Sequence, residues 1–299
     1  MRIFLTGAPG FIGSHIIPEL LNAGHQVLGL TRSEEGAQKI LAAGAEVHRG
    51  NLEDLASIRS GAEQTDGVIH CGFNHDFSKF MANVAQDKLV IETVGDVLAG
   101  SERPLLITSG VGMGTRIPGQ PATEDYLDVN NPNPRTGSEL AGVKVSERGV
   151  NVSVVRLPQV HDTTKQGIIT YMVSVAREKG VSAYVGEGLN RLSAAHVSDV
   201  ARLYYLAFEK AASSSRTPGI RYNAVSEEGV PVREIAEVIG RGLGVPSKSI
   251  TPEESAAHFG WLGMFAGMDL VASSALTRER LNWHPTGPGL IADLEAMQY

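Results

Sequence analysis

The first thirteen residues constrain the fold more than any other part of the chain. Arg2–Thr6 is a short run rich in strand formers, Gly7, Gly10 and Gly13 follow at three-residue spacing, and a helical apolar pattern comes next. A strand that leads through a glycine turn into a helix is typical of a phosphate site, because glycine lets the backbone approach a pyrophosphate whose charge lies against the helix N-terminus. The segment therefore predicts a dinucleotide site, and a tight turn without a ligand is the alternative.

Length and composition exclude several classes of protein. The 299 residues suffice for one large α/β domain with a smaller appendage. A net charge of −7 argues against nucleic-acid or anionic-membrane partners. Cys71 is the single cysteine, which excludes an internal disulfide and a cysteine-rich zinc site, so no metal is expected. Without a signal-like start or a run of about 18 apolar residues, we expect a cytoplasmic protein with no membrane span.

The first half of the chain alternates short apolar runs with helical patterns. Strands are predicted at 26–30, 45–49, 67–71, 104–109 and 151–157, and helices at 34–43, 52–60, 77–99 and 135–148. Such alternation is typical of an α/β protein with a Rossmann-type, doubly wound parallel sheet. Pro18 lies inside the first predicted helix, where it removes a hydrogen bond to the Ser14 carbonyl and predicts a local kink.

The pattern loosens beyond residue 160. Helical segments are predicted at 167–179, 231–243 and 252–258, two of which open with a proline, but no clean βαβ repeat connects them. We therefore assign 1–160 to the dinucleotide-binding domain, to which a segment near 193–225 returns through a helix at 198–210. Residues 161–299 would mainly form a smaller substrate domain over the mouth of the sheet, where ligands of open α/β folds bind.

The end of the second predicted strand indicates which coenzyme is bound. In NAD sites of this type a carboxylate about twenty positions beyond the glycines holds the ribose hydroxyls. Here Thr31, Arg32 and Ser33 occupy the strand tip. A guanidinium can pair bidentately with a 2′-phosphate, so NADP is favoured over NAD. The alternative is that Arg32 is only a solvated surface residue.

Further cofactor contacts are predicted from topology. The expected contacts are Phe11 and Ile12 at the helix start, Asn51 and Leu52 at the adenine edge, and Cys71, Gly72 and Phe73 at the ribose. Cys71 could also act as a nucleophile, but His70 should point to the opposite face of the strand, which leaves only His75 to activate it. A small buried residue is the favoured interpretation of Cys71.

Several separate motifs resemble those of one family. They are residues 6–13 (TGAPGFIG), 68–70 (VIH), 83–84 (NV), 195–201 (AHVSDVA) and 281–285 (LNWHP). Over essentially its whole length the chain resembles the extended short-chain dehydrogenase/reductases of the NAD-dependent epimerase/dehydratase superfamily. The resemblance implies a Rossmann domain with a C-terminal substrate domain, and a homodimer formed through helices 77–99 and 135–148.

The catalytic residues depart from the pattern of that family. Its members carry a Ser or Thr after the fifth strand, then a Tyr that exchanges a proton, and a Lys four residues later. Ser109 stands at the first position, whereas Arg135 and Glu139 replace the Tyr and the Lys, so the chain resembles the atypical branch. Arg135 and Glu139 could pair on one helix face. Alternatively, Arg135 could bind an acidic group or polarise a carbonyl, but it cannot supply a proton at neutral pH.

Other candidate substrate and proton-transfer residues lie on two loops. Asn74 and His75 follow the fourth strand, and His75 is either the proton donor or a surface histidine. The resemblance further implies that Pro158 meets the coenzyme carboxamide and that Gln159 and His161 contact substrate, unless either is a solvated loop residue. His196 and Asp199 are expected to be structural. A displaced phenol could come from Tyr126, Tyr171 or Tyr184.

Three functions remain open from the sequence. The leading hypothesis is an NADP-dependent oxidoreductase acting on the carbonyl or alcohol of a small organic molecule, in which Ser109 orients the oxygen and His75 or water supplies the proton. The second is an epimerase-like or dehydratase-like enzyme with retained cofactor. The third is a non-catalytic, NADP-binding redox sensor, which an intact cofactor motif beside altered catalytic positions would suit.

Overall fold

The computed structural model describes residues 1–213 and 219–299. Its main sheet has seven strands in the order β10-β6-β5-β4-β1-β2-β3, and all neighbours pair in parallel. The doubly wound sheet predicted from the sequence is confirmed. Its strands are β1 (Arg2–Thr6), β2 (Gln26–Thr31), β3 (Glu46–Arg49), β4 (Gly67–His70), β5 (Pro104–Gly110), β6 (Asn151–Leu157) and β10 (Ile220–Asn223).

Helices cover both faces of this sheet. The helices of the main part are α1 (Phe11–Asn22), α2 (Glu34–Ala42), α3 (Leu55–Glu63), α4 (Phe80–Leu98), α5 (Thr136–Glu147) and α7 (Val197–Ala212). Because side chains alternate along a strand, Ile3 and Leu5 pack in the core with α1 and α7, while Phe4 packs in the core with α3, α4 and α5. Because both faces of the sheet are covered, side chains that point either way are buried, which explains the nearly continuous apolar run of β1.

A smaller part follows β6. Two small sheets form it, one with the order β11-β9-β7 and one joining β12 to β8. The strands are β7 (Gln159–His161), β8 (Ser182–Val185), β9 (Arg191–His196), β11 (Glu227–Pro231) and β12 (Ser247–Ile250). The helices are α6 (Ile169–Lys179), α8 (Val232–Leu243), α9 (Pro252–Phe259), α10 (Gly263–Ala266), α11 (Ala275–Leu281) and α12 (Leu290–Ala296).

Local sequence signals explain two helix details. Pro18 does not end α1, which runs unbroken to Asn22; Pro18 and Ser14 are both exposed, so water can hydrate the carbonyl that loses its partner. Pro252 opens the first turn of α9 as predicted, whereas Pro231 ends β11 and precedes α8. Among the helices of the described ranges, none combines the length and apolarity that a bilayer span requires.

Candidate active site

The glycine turn between β1 and α1 is packed backbone against backbone. Gly7 has a φ of 72°, and a Cβ on it would lie 2.8 Å from the backbone of Gly72. A Cβ on Gly13 would lie 2.1 Å from the Gly7 carbonyl oxygen, and the Gly10 amide donates to that oxygen at 2.9 Å. Gly7 is therefore required by conformation as well as by space, and Gly13 is required by space alone.

The start of α1 fits the diphosphate of a dinucleotide. Gly10 precedes the helix and supplies no side-chain cap, so the amides of the first turn, which includes Phe11 and Ile12, are available to an anion. The Lys165 ammonium, on the loop after β7, lies 5.6 Å from the centroid of the Phe11 ring and adds positive charge beside this turn.

The tips of β2 and β3 carry residues predicted to contact the coenzyme. Thr31 is buried, and its hydroxyl accepts from the Ser33 amide, while the Ser33 hydroxyl accepts from Gly36 at 3.0 Å and caps α2. Arg49 pairs with Glu34. Arg32 is exposed, and no carboxylate within residues 1–213 and 219–299 forms an ion pair with it. The guanidinium is thus available to an anion, as the prediction of a 2′-phosphate requires.

Asn51 shapes the turn before α3. Its carboxamide oxygen accepts from the amides of Glu53 and Asp54, both at 2.9 Å, so an adenine contact by Asn51 would have to use its amino group. Leu52 packs toward Gly72, where a Cβ would lie 3.4 Å from its side chain. Leu52 thus lies beside the glycine turn between β1 and α1, which we call the coenzyme turn.

The end of β4 is fixed by buried hydrogen bonds. The Thr6 hydroxyl accepts from the Gly72 amide at 3.0 Å and bonds to Nδ1 of His70 at 2.7 Å. Burial raises the pKa of the Cys71 thiol to about 11. The hydroxyls of Tyr204 and Thr108 lie beside this thiol. A thiol of this kind is protonated at neutral pH, which disfavours a nucleophilic role for Cys71.

Arg135 joins the site through Asp87 rather than through Glu139. Its Nη1 lies 2.6 Å from Oδ2 of Asp87, its Nη2 donates to the Thr108 carbonyl at 3.0 Å, and its guanidinium lies 4.0 Å from the centroid of the Phe73 ring. The pairing of Arg135 with Glu139 on one helix face is therefore wrong, because partners from other elements bind both side chains.

Asp87 is the centre of a buried polar network. It accepts from Arg135 and Ser138 on one oxygen and bonds to Nε2 of His70 at 3.0 Å on the other. Although burial raises the pKa of Asp87, the Arg135 charge and the bonds to His70 and Ser138 lower it to about 2. Arg135, at the position of the family's Tyr, is thus held by a permanent carboxylate.

Glu139 belongs to a second ion cluster, in which Glu139 and Arg156 are fully buried and Arg221 is partly buried. Its two oxygens accept from Arg156 Nε at 2.8 Å and Nη2 at 2.9 Å, and Arg221 Nε lies 3.1 Å from the second oxygen. Arg156 also donates to the carbonyls of Thr123 and Tyr126. Glu139, at the position of the family's Lys, therefore anchors α5 to β6 and β10.

Ser109, at the end of β5, has the chemistry expected of a substrate-orienting group. It is 4% exposed, and its hydroxyl is buried without a hydrogen-bond partner in the described structure. The preceding residue, Thr108, donates to the His70 carbonyl at 2.8 Å, which joins β5 to the end of β4. A buried hydroxyl without a partner is costly, and a ligand oxygen would satisfy it.

The pKa of His75, an exposed residue on the loop after β4, is lowered by its surroundings. Desolvation lowers the pKa of His75 below its ordinary value of 6.5, and the charges of Arg135 and Lys165 lower it further. The Asp76 carboxylate accepts from Ser78 instead of supporting the imidazole. Asn74 shapes the loop, since its side chain accepts from the Asp76 amide at 3.0 Å. His75 is thus a neutral imidazole at pH 7.

The residues after Pro158 are buried in β7. The Gln159 amide donates to the Gln166 carbonyl, and Nδ1 of the fully buried His161 lies 2.7 Å from Asp293. The interpretation of either as a solvated loop residue is therefore wrong. Both side chains are bonded within the protein, so their contact with substrate, like that of Pro158 with the coenzyme, stays a prediction.

The remaining candidates have clear structural partners. His196 caps α7 through Ser198, and the Asp199 carboxylate accepts from the amides of Thr286 and Gly287, as structural residues should. Among the candidate tyrosines, Tyr171 contacts Phe77 on the loop of His75, whereas arginines cover Tyr126 and Tyr184.

Sequence reasoning missed Asp87, although a signal was present. Asp87 falls on the apolar stripe of α4 that also carries Val84, Val90, Ile91 and Val94, at helical spacing. A carboxylate on a buried stripe requires a cation nearby, and Arg135 is that cation.

Replacing Asp87 tests this network. Asp87→Asn would leave the Arg135 charge buried without its counter-charge, so the free energy of unfolding should fall by about 3–5 kcal/mol, measured by urea denaturation. Asp96→Asn, which breaks a half-exposed pair with Arg148, should cost less than about 1 kcal/mol.

The same network predicts an acid dependence. Because the pKa of Asp87 is lowered from 3.8 to about 2, its contribution to the free energy of unfolding is present above pH 3.8. This contribution is lost as the pH falls toward 2. Wild type should lose more stability than Asp87→Asn over that interval, and equal losses would contradict the assignment.

Comparisons with known proteins identify the family and agree with the fold. A family model described as "NAD dependent epimerase/dehydratase family" matches residues 3–137. The uncharacterized protein C2A9.02 of Schizosaccharomyces pombe is 45% identical over 100% of both chains, and the uncharacterized protein YLL056C of Saccharomyces cerevisiae is 38% identical over 99% of this chain and 98% of its own. The fold is also similar to that of DesIV, a dTDP-glucose 4,6-dehydratase from Streptomyces venezuelae, with a TM-score of 0.77, 17% identity and coverage of 99% and 96%. The chain thus belongs to the NAD-dependent epimerase/dehydratase family.

Proposed function

We propose that the protein is an NADP-dependent oxidoreductase acting on the carbonyl or alcohol of a small organic molecule. The family supports a nicotinamide coenzyme, and the DesIV structure was determined with NAD bound. The glycine turn and the free amides of α1 fit the diphosphate, and the exposed Arg32 supports the 2′-phosphate of NADP.

The orphaned hydroxyl of Ser109 is the observation that carries the proposal. Ser109 lies near the end of β5, the strand that pairs with β4, and Gly72 and Phe73 follow the end of β4. When bound, the nicotinamide exchanges a hydride with the substrate carbon. Ser109 donates a hydrogen bond to the substrate oxygen, which orients the carbonyl and stabilises the negative charge that develops there.

The proton on the substrate oxygen comes from His75 or from bound water. Cys71 and Tyr204 do not serve, since burial raises the pKa of both. If His75 is the donor, its protonated form is active in reduction. The kcat/KM for reduction should then fall as the pH rises through a pKa below 6.5, tenfold for each further unit.

His75→Gln tests that assignment. The variant should lose the fall of kcat/KM with rising pH, whereas His284→Gln, at an exposed histidine bonded to Asn282, should keep it. A wild-type profile that persists in His75→Gln would assign the proton to water.

The function itself is tested with a panel of carbonyl compounds and alcohols, followed by nicotinamide absorbance. We expect turnover with NADPH or NADP⁺ and a loss of kcat of about 100-fold in Ser109→Ala, in the range found for removal of one oxyanion donor. Ser193→Ala is the matched control, because its hydroxyl is also buried without a partner but lies in β9. Coenzyme binding without turnover of any compound would reject the oxidoreductase and favour the redox sensor. The observation that favours a redox sensor is that Arg135 and Glu139, at the family's catalytic positions, are both held in ion pairs.

A further inference from the structure

A continuous set of aromatic rings joins the coenzyme turn to the smaller part of the protein. Phe77 stacks on Trp261 with centroids 4.6 Å apart and planes 19° apart, and both rings contact Tyr171, at 6.2 and 5.2 Å. Ring contacts connect the same Phe77 to His75 and Phe80. We call the set the aromatic wall; it comprises Phe73, His75, Phe77, Phe80, Tyr171, Trp261 and Phe265.

The wall begins inside the candidate active site. Phe73 directly follows Gly72, whose backbone lies against Gly7, and the Phe73 ring carries the Arg135 guanidinium on its face. From there the rings lead through the loop after β4 to Tyr171 on α6 and to Trp261 before α10. The wall is thus continuous with the place where the hydride is exchanged.

The outer rings of the wall are not buried by the contacts they make. Trp261 is 43% exposed and Tyr171 is 39% exposed. Aromatic residues are scarce in this chain, at 6%, yet four of its eight phenylalanines belong to the wall. Clustered, exposed aromatic surface beside polar groups is typical of a ligand site, because ring faces bind flat apolar molecules without requiring hydrogen bonds.

We propose that the substrate is a planar aromatic carbonyl compound, or the corresponding alcohol, whose ring lies on Trp261 and Tyr171 while its oxygen meets Ser109. The inference rests on the proposed function and specifies its substrate class. In reduction, the carbonyl carbon gains a hydride as the nicotinamide is oxidised, and the oxygen gains a proton. The competing explanation is that the wall only holds the two parts of the protein together.

Binding is tested separately from turnover. We would titrate 2-naphthaldehyde and its saturated counterpart, decahydro-2-naphthaldehyde, into the NADP⁺ complex and follow tryptophan fluorescence. The chain has two tryptophans, and Trp283 is buried at 1% exposure, so the difference between wild type and Trp261→Phe reports Trp261. We expect saturable quenching by the aromatic aldehyde at much lower concentration than by the saturated one, and we expect this quenching to be lost in Trp261→Ala, in which only Trp283 emits.

Turnover provides the second readout. The ratio of kcat/KM for the aromatic over the saturated aldehyde should fall roughly tenfold in Trp261→Ala and in Tyr171→Ala, and should largely recover in Trp261→Phe, since stacking contributes on this scale. Leu189→Ala removes a 65% exposed apolar side chain outside the wall and should leave the ratio unchanged.

The outcomes separate the two proposals. Equal binding of both aldehydes, or an unchanged ratio in Trp261→Ala, would overturn the aromatic substrate class while carbonyl reduction still supports the oxidoreductase. If Trp261→Ala lowers the melting temperature but leaves the ratio of kcat/KM unchanged, the aromatic substrate class is likewise overturned, and the aromatic wall is purely structural. Selective binding of the aromatic aldehyde through Trp261 without any reduction would uphold the aromatic site and reject the oxidoreductase.

Discussion

Glu139→Lys is expected to unfold the protein or leave it barely stable, although it restores the residue found in the family at that position. Glu139 is fully buried and is the counter-charge for Arg156 and Arg221. Removing one partner of a buried pair costs about 3–5 kcal/mol, and a third cation adds repulsion to that cost. A typical domain has a stability of about 5–15 kcal/mol, so the loss takes most of it.

The double variant Arg135→Tyr/Glu139→Lys extends this prediction from stability to turnover. Restoring the Tyr and Lys should give no gain in turnover, because the new side chains fall among Asp87, Arg156 and Arg221 rather than in an empty site. Urea denaturation followed by circular dichroism measures the stability, with Glu147→Lys, at an exposed residue of the same helix, as the control. A double variant as stable as wild type and more active would contradict the account.

Gly13→Ala is expected to abolish coenzyme binding. Its Cβ would lie 2.1 Å from the Gly7 carbonyl oxygen and 3.0 Å from the Ala8 Cα, so α1 must move away from the turn. Such overpacking costs about 1–3 kcal/mol of stability or more. Displacing the helix amides from the diphosphate should raise the dissociation constant of the coenzyme by about 100-fold or more, equivalent to about 3 kcal/mol.

Gly267→Ala is the matched control for that prediction. Gly267 has an ordinary φ of −102°, and a Cβ there would meet nothing within 4 Å. The stability and coenzyme affinity of Gly267→Ala should stay close to those of wild type. A folded Gly13→Ala that binds the coenzyme as tightly as wild type would contradict the placement of the diphosphate at this turn.

Local features of the sequence were sufficient to predict the main sheet and the coenzyme turn. The glycine spacing, the strand at Arg2–Thr6 and the alternation of Ile3, Phe4 and Leu5 between two cores each depend on a few neighbouring residues. Their periodicity is a direct consequence of backbone geometry, which makes it readable from one chain.

The candidate site was predicted less completely because its bonds cross the chain. Arg135 and Glu139 have the spacing of a helical pair, but Arg135 binds Asp87, 48 positions away, and Glu139 binds Arg156 on strand β6. Pairs across solvent-exposed helix faces are weak, so buried partners at long range prevail. The aromatic wall likewise joins the loop after β4 to Trp261, which no local pattern connects.

Calorimetric titration of the purified protein with NADPH and NADH tests the central claim most directly. We predict that wild type binds NADPH more tightly than NADH, and that Arg32→Gln weakens NADPH binding by about 10- to 100-fold while leaving NADH unchanged, since a charge-assisted bond to the 2′-phosphate is lost. Arg59→Gln, at a half-exposed arginine near Asp96, should change neither affinity. Folded protein that binds neither coenzyme would contradict the account.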